Sequence, residues 1–402
     1  MAWLAALPLL AGREGVCVVP SSTMTLPDAN HRAVLQALVL AVLTMISSTA
    51  VALRTHRAAL TQRKADGYEA EFNSPRVPTT SHNSLDCPRH RHSVSYEFLR
   101  VPRPGRPVPH LLLNVTRWFP QPALSGVVVF VHGLNGHSTF ADSALLSERL
   151  SKNGYAVLSM DVEGHGRSGG IRGLVPDIQD VASDIAAVLL RAKELYPGQP
   201  LFLMGISMGG CASIHATLAL QDAGIDLAAL LTGGLILLCP LVHTVKQPPN
   251  SLKVAAQLLA RLSPRLPLPT AHTPGNGVDI AHKELMRQAM AADGHIYTGG
   301  IRVGTALALL AAAEQAQQRL DELLLGHRVS LLTLHGEADD IVDINGSREL
   351  HSRSGATDKT FISYPDARHA LLNEAPHVHT VMQDLLRWML HRELLYREDT
   401  RS

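Results

Sequence analysis

Cysteine is scarce in this chain, 4 in 402 residues. Cys17, Cys87, Cys211 and Cys239 are too few and too scattered for a disulfide framework, and no two have zinc-ligand spacing. Cys211 and Cys239 sit in apolar runs and are expected to pack as small hydrophobes. Net charge is also nearly absent, at +1. That balance leaves no basic footprint for a nucleic acid, and no such partner is expected. Aromatic side chains are few, with 3 Trp, 7 Tyr and 7 Phe, so a substrate pocket is expected to be aliphatic. No internal repeat is visible. Hydrophobic residues make up 46% and charged residues 18%, enough for one large core.

Long apolar runs are rare too. The one that stands out is Ala33 to Leu53, uncharged throughout and long enough to span a bilayer. Arg54, Arg57, Arg63 and Lys64 crowd its C-terminal side. This favours a single-pass N-terminal membrane anchor with the rest of the chain on the cytosolic face. The alternative is a signal peptide, with Met24 as a start and Ala50-Val51-Ala52 as a cleavage site, which would deliver the protein to the secretory lumen. Asn114-Val-Thr116 and Asn345-Gly-Ser347 match the glycosylation pattern, which only a lumenal protein could use. Residues 1–64 therefore read as an N-terminal extension carrying the segment 33–53. Residues 65–91 are polar and Pro-containing, a linker. His90 and His92 have no further ligand at metal spacing nearby and read as a solvated loop.

The most informative stretch is Leu201-Phe-Leu-Met-Gly205-Ile-Ser207-Met-Gly209. A buried-strand pattern leads into Gly-x-Ser-x-Gly, and a helix pattern follows from Cys211. This is the signature of a nucleophile elbow, a sharp strand-to-helix turn that lifts a serine hydroxyl clear of a sheet. The five-residue pattern alone is weak in a chain with 30 Gly. A second match, Gly166-Arg-Ser168-Gly-Gly170, lacks the strand before it and the helix after it. Ser168 is read as turn chemistry and Ser207 as the nucleophile.

A serine hydroxyl needs a base, and the base needs an orienting acid. In this context the order is Ser, acid, His. Val329 to Leu334 reads as a strand ending in His335-Gly-Glu337-Ala-Asp339-Asp340. Lys359 to Tyr364 is another, followed by Pro365-Asp-Ala-Arg-His369. Asp339 and His369 each lie just past a strand end, where an open α/β sheet places its active-site crevice. Glu337, Asp340 and Asp343 share the acid loop and remain alternatives to Asp339. Val127 to Val131 reads as a further strand, ending in His132-Gly133-Leu134-Asn135-Gly136. The backbone N–H groups of Leu134 and Met208 are the expected oxyanion donors. His137 and Asp142 fit an acyltransferase-like His-x4-Asp pattern, a spacing common by chance. No metal or organic cofactor is called for.

The remaining pattern is α/β. Strands near Ser95–Val101, His110–Phe119 and Tyr155–Asp161 and a helix near Asp177–Leu195 precede the elbow, and Leu235–Cys239 follows it. The long interval before Val329 exceeds a plain crossover, so residues 241–328 are read as an inserted, mainly helical cap. Leu252, Ala255, Leu259 and Leu262 recur at helical spacing there, and Arg302 to Leu325 is a second helix pattern. An apolar cap over a serine suits an acyl chain.

Val131-His-Gly-Leu134, Met160-Asp161-Val-Glu-Gly164-His165-Gly166-Arg-Ser168, Gly205-Ile-Ser-Met-Gly209, His335-Gly-Glu-Ala-Asp339 and Tyr364-Pro-Asp-Ala-Arg-His369 together resemble the ordered motifs of monoacylglycerol lipases and lysophospholipases, in the serine aminopeptidase-like clan of α/β-hydrolases. The resemblance covers residues 92–397. It implies an α/β-hydrolase fold, a mostly parallel sheet flanked by helices. It also implies Ser207 as nucleophile, Asp339 as acid, His369 as base, and Leu134 and Met208 as oxyanion donors. Gly164-His165-Gly166 is then a structural turn. Ile206 and Cys211 depart from the pattern, which has a polar and a small residue there. The implied activity is serine carboxylester hydrolysis of a glycerolipid, a monoacylglycerol or a lysophospholipid. The implied partner is the lipid ester; a membrane is the other expected partner, met through the N-terminal segment read above, with the cap a second candidate contact. An acyltransferase using the same triad, or a lipid-binding protein on a retired hydrolase fold, are the alternatives.

Overall fold

The computed structural model describes residues 94–106, 108–121, 123–245, 248–268, 288–374 and 377–399. The expected anchor at 33–53, the linker at 65–91 and the His90/His92 pair lie outside them. Strands β1 (Val94–Pro102) and β2 (His110–Trp118) pair antiparallel, and β2 pairs antiparallel with β4 (Tyr155–Met160). From β4 the sheet is parallel through β3 (Gly126–Val131), β5 (Leu201–Ile206), β6 (Gly234–Leu238), β7 (Leu331–Gly336) and β8 (Lys359–Tyr364). The strand order is β1-β2-β4-β3-β5-β6-β7-β8. This is the mostly parallel α/β-hydrolase sheet that the alternating pattern and the motif order anticipate.

The central strands read as unbroken apolar runs because both faces are covered. All six residues of β3 are buried, as are all six of β5. Side chains alternate between two cores. Val127, Val129 and Val131 of β3 join the core beneath α2 (Ile178–Leu195) and α3 (Met208–Asp222). Val128 and Phe130 join the opposite core, where α1 (Ala141–Lys152) and α8 (Val378–Asp399) pack. Helix α2 starts where Asp177 accepts the Gln179 N–H at 2.9 Å, an N-cap worth about 1 kcal/mol. It buries Ile178, Val181, Ile185, Val188 and Ala192 at helical spacing. A short α4 (Leu227–Leu230) and α7 (Ile344–Arg353) complete the body.

Helices α5 (Asn250–Leu262) and α6 (Val303–Gln318) form the insertion between β6 and β7. One expectation needs correction here. The second helix stops at Gln318 rather than reaching Leu325. Leu320, Leu323 and Leu324 are fully buried in the turns that follow, and Leu324 adopts φ 62°, so the chain bends to deliver them to the core. On α5 the stripe Leu252, Ala255, Leu259 and Leu262 is not a buried face. Nothing on α5 is fully buried, and Leu262 is 75% exposed. The helix lies over the body by one edge only, so its apolar periodicity marks an open surface rather than a core. Among the described residues, no helix is long and apolar enough to cross a membrane.

The chain reverses its direction of growth along the sheet at β3, which has β4 on one side and β5 on the other. The crevice beyond the carboxyl ends of strands at such a switch point is where open α/β sheets bind ligands. Ser207 follows β5 and His132-Gly133 follows β3, so both stand in it.

Candidate active site

Ser207 occupies the bend between β5 and α3 with φ 55° and ψ −116°. A non-glycine residue with positive φ stores strain and persists only where its surroundings hold it. Here the Ser207 N–H donates to Leu238 O at 2.9 Å, and its carbonyl accepts from Cys211 N and Leu241 N, both at 3.0 Å. The flanking glycines are demanded by close approach. A Cβ on Gly205 would meet Gly209 O at 2.4 Å, and one on Gly209 would meet Val131 O at 2.2 Å. Cys211, one turn into α3, is fully buried, and burial pushes its thiol up to about 12. It packs as a small hydrophobe, as expected.

His369 Nε2 lies 2.9 Å from Ser207 Oγ, and His369 Nδ1 lies 2.7 Å from Asp339 Oδ2. The Nδ1–H donates to the carboxylate, which leaves Nε2 to accept the serine hydroxyl. The loops that carry the two groups are laced together. Ala338 N donates to Ala367 O at 2.9 Å, and Arg368 N donates to the Glu374 carboxylate at 2.9 Å. The structure thus brings Ser207, Asp339 and His369 into one chain of hydrogen bonds.

The rival acids hold other posts. Asp340 is exposed and pairs with Arg368 at 3.3 Å, Glu337 accepts from Ser363 at 2.7 Å, and Asp343 caps α7. Asp339 alone has a fully buried side chain. Its Oδ1 accepts from Ile341 N and Val342 N, both at 2.9 Å. Burial opposes its charge, but donors from His335 and His369 and the Val342 amide hold the carboxyl well below the usual range. His335 was not singled out from the sequence. Its Nε2 faces Asp339 Oδ2 at 3.2 Å and Val342 O at 3.3 Å, two acceptors, so Nε2 carries the proton and Nδ1 accepts from Ser347 Oγ at 2.7 Å. A buried histidine at the end of a strand, four residues before the acid, was the available signal.

Cys239, His335 and Asp339 place ligand-type atoms within 4.8 Å of one another. These atoms are already engaged. Asp339 is bonded to His369 and His335, His335 is spent as described, and the Cys239 thiol is held well above its ordinary value, by burial first and then by the Asp339 carboxylate. A metal there would have to displace the bond that orients His369.

The loop after β3 is set by His132. Its Nε2 accepts from Val162 N at 3.0 Å, so Nδ1 bears the proton and donates to Gly133 O at 2.7 Å. Gly136 N donates to the same carbonyl at 3.1 Å. In a planar trans peptide the next N–H points the opposite way, so fixing Gly133 O also fixes the Leu134 N–H. Gly133 passes so close to the elbow that a Cβ on it would lie 3.3 Å from Ser207 Cβ. Met208 is the first residue of α3, where an N–H has no acceptor within its own helix. Leu134, Met208, Ser207 and His369 line one cavity.

Asp161 ties this loop to the one after β4. It accepts from Asn114 Nδ2 at 2.8 Å, Ser138 N at 2.7 Å and Arg167 N at 2.7 Å. Burial opposes its charge, but His137, His132 and those amides keep it below the usual range. Ser168 lies in this buried turn, donating to Asp161 O at 2.6 Å and accepting from Asn114 N at 2.8 Å. It is structural, as is Gly164-His165-Gly166. Asn114 is fully buried, so the first glycosylation pattern offers no surface acceptor. His137 is also buried, bonded to Asp293 at 3.0 Å and to Thr139, and no hydrogen bond joins it to Asp142 among the described residues. The two do not form an acyl-transfer pair.

The cavity over Ser207 holds about 460 Å³. Leu241, Leu252, Ala256, Met290, Leu307 and Leu310 form much of its wall, and Phe140 is the one aromatic hydrocarbon ring among the described lining residues. Asn135, Asp142, Ser143, Thr244 and Asn373 are among its polar lining residues. Burial raises the Asp142 carboxyl above its ordinary value. The one Lys or Arg among the described lining residues is Lys253, ion-paired with Glu314 at 2.7 Å.

Known proteins bear on this arrangement. Residues 122–376 match the family described as Hydrolase_4: Serine aminopeptidase, S33. The chain is 29% identical over 297 residues to the monoglyceride lipase of Rattus norvegicus, covering 72% of this chain and 92% of the relative. It is 28% identical over 273 residues to the monoacylglycerol lipase of Mycolicibacterium smegmatis, covering 68% and 91%. A soluble variant of monoglyceride lipase from Saccharomyces cerevisiae, solved with a substrate analog, shares the fold. Its TM-score is 0.58 at 22% identity, over 74% of this chain and 95% of that one.

Proposed function

The chain belongs to the Hydrolase_4 family (serine aminopeptidase, S33) and is a serine hydrolase, and from that premise we propose that it cleaves the ester of a monoacylglycerol through an acyl-enzyme on Ser207. One observation carries the choice of substrate. The cavity at Ser207 is mostly aliphatic, and its charged wall among the described residues is a carboxylate, Asp142, with the one described lining Lys or Arg already paired. An acyl chain fits the first feature. A neutral alcohol fits the second, because hydroxyls can donate to Asp142 whereas a phosphate would face it as a like charge. The names of the similar lipases support the same substrate class.

In this reading His369 takes the Ser207 proton as Oγ attacks the ester carbonyl. Asp339 holds the imidazole and stabilises its charged form. The N–H groups of Leu134 and Met208 receive the oxyanion. His369 then protonates the departing glycerol oxygen, and water, activated by the same imidazole, releases the fatty acid. No step needs a metal or an organic cofactor. The exposed apolar residues Leu252, Val254, Leu258 and Leu262 on α5, a helix with no acidic residue, suit a cap that works against a lipid surface. The run 33–53 is taken as the anchor that keeps the enzyme there. Resistance of the full-length protein to carbonate extraction from membranes is expected, and a mature N-terminus near Leu53 would replace the anchor with a cleaved signal.

The substrate test compares monooleoylglycerol with the lysophosphatidic acid of the same acyl chain, whose head group carries no cation to offset the phosphate. Like charges a few ångström apart cost about 1–4 kcal/mol, so kcat/KM is expected to favour the glyceride by about tenfold or more. Equal rates, or a preference for the phospholipid, would overturn the substrate assignment. Adding an alcohol acceptor and following ester formation tests whether transfer competes with hydrolysis.

A further inference from the structure

A second space lies next to the acyl cavity. It is a groove of about 380 Å³ between α5, α6 and the start of α2. Among the described lining residues, Leu307 of α6 is the one that borders both spaces. The groove is lined by Ile178, Pro264 and Gln315 among others, but several of its α5 and α6 residues are small. On α5, Ala256 lines the acyl cavity and Ala260, one turn on, lines the groove. On α6, Gly304, Ala308 and Ala311 line the groove, and Gly304 and Ala311 share the helical face of Leu307 by their spacing. The far side of the groove is open, since Ala311, Gln315 and Asp177 are exposed.

We propose that Leu307 is the stop at the end of the acyl channel, setting the longest acyl chain the enzyme takes, and that the groove is the outlet a longer chain would enter. This rests on the reading of the cavity as an acyl site. The α5 and α6 residues beside it, Ala260, Gly304, Ala308 and Ala311, have one side-chain carbon or none, so the branched side chain of Leu307, which borders both spaces, is the large obstacle between them. It is half-buried rather than locked into the core, so its truncation removes an obstacle without opening the main packing. Each methylene that finds apolar cover adds about fourfold to kcat/KM, and the series stops where the chain meets the obstacle.

The test measures kcat/KM of the full-length enzyme on 1-monoacylglycerols, lengthened in two-carbon steps and expressed relative to the shortest ester for each variant. Leu307→Ala is expected to extend the rising part of the profile by one or more steps, about fifteenfold per step. Leu307→Trp is expected to cut it short. Adding Ala260→Leu to Leu307→Ala refills the outlet and is expected to restore the parental limit. Should the alanine variant fold poorly by thermal melting, Leu307→Val is expected to move the limit the same way by less. A limit unmoved by both the smaller and the larger residues, in an enzyme that hydrolyses monoacylglycerols, would overturn the assignment of Leu307. Turnover of a simple acetate ester with no monoacylglycerol cleaved at any length would instead overturn the lipid reading itself.

Discussion

Replacing Asp339 by asparagine tests the triad more sharply than removing it. The Asp339 Oδ1 position receives two backbone N–H groups, Ile341 and Val342, both at 2.9 Å. An amide must therefore keep its oxygen there, because an NH₂ would face two donors. The NH₂ then takes the Oδ2 position, 2.7 Å from His369 Nδ1. His369 can answer only by accepting at Nδ1, which moves its own proton to Nε2. That proton then points at Ser207 Oγ, 2.9 Å away, and the imidazole has no lone pair left for the serine hydroxyl. His335 loses one of its two acceptors in the same exchange and keeps Val342 O. A triad with its shape intact and its tautomer wrong loses about 10⁴ in rate, or about 5 kcal/mol of transition-state stabilisation. The assay is kcat/KM on a short soluble ester for Asp339→Asn and Asp340→Asn, each at a temperature well below its own melting point. Asp340 is exposed and pairs with Arg368 at 3.3 Å, a contact worth about 0–1 kcal/mol, so its variant is expected to stay within a few-fold of the parent. A comparable loss in Asp340→Asn, or a nearly active Asp339→Asn, would refute the reasoning and move the acid along the loop.

Three further outcomes follow from the same geometry. His132 and His165 are buried with ring centroids 5.5 Å apart, and burial lowers them to about 4 and about 3. The unfolded chain takes up these protons below about pH 6.5 while the folded one does not, so stability is expected to fall from pH 7 to pH 5 by about 2 kcal/mol per ring. Denaturant titrations read this directly, and a flat profile would mean that the rings ionise in the fold. Ser168→Ala is expected to cost about 1–3 kcal/mol of stability by orphaning the buried Asn114 N–H, with activity largely kept. A loss of kcat on the scale of a dead nucleophile, in folded protein, would contradict that. Leu252→Asp places a charge on the cavity wall at a half-exposed position and is expected to lower kcat/KM more for a long-chain monoacylglycerol than for an acetate ester; equal losses would detach the wall from the acyl chain.

The sheet and the triad were legible because each rests on local rules. Continuous apolar runs such as Val127–Val131 and Leu201–Met204 announce strands buried on both faces, and Gly205 and Gly209 announce a bend that tolerates no Cβ. What the sequence could not say depends on distant partners. His335 reads as one histidine among 21 until the fold sets it against Asp339, thirty residues before His369 in the chain and 2.7 Å from it in space. His132 became a support of the loop after β3 only when Val162 N fixed its tautomer. The helix α5 shows the opposite failure. Its periodicity was plain, but periodicity does not say whether an apolar face meets protein or open surface, and here most of it is exposed. Helix α6 was overrun at its end because Leu320, Leu323 and Leu324 continue an apolar pattern that tertiary burial, not helix, satisfies.

The central claim is that Ser207, and not Ser168, is the nucleophile of a lipid ester hydrolase. Mass-spectrometric mapping of a fluorophosphonate adduct on the full-length protein, with monoacylglycerol present as competitor, tests it most directly. The expected result is a single adduct on Ser207, slowed by monoacylglycerol and absent from Ser207→Ala. An adduct on Ser168 or another serine, or labelling of Ser207 that monoacylglycerol leaves unchanged at saturating concentration, would contradict the account.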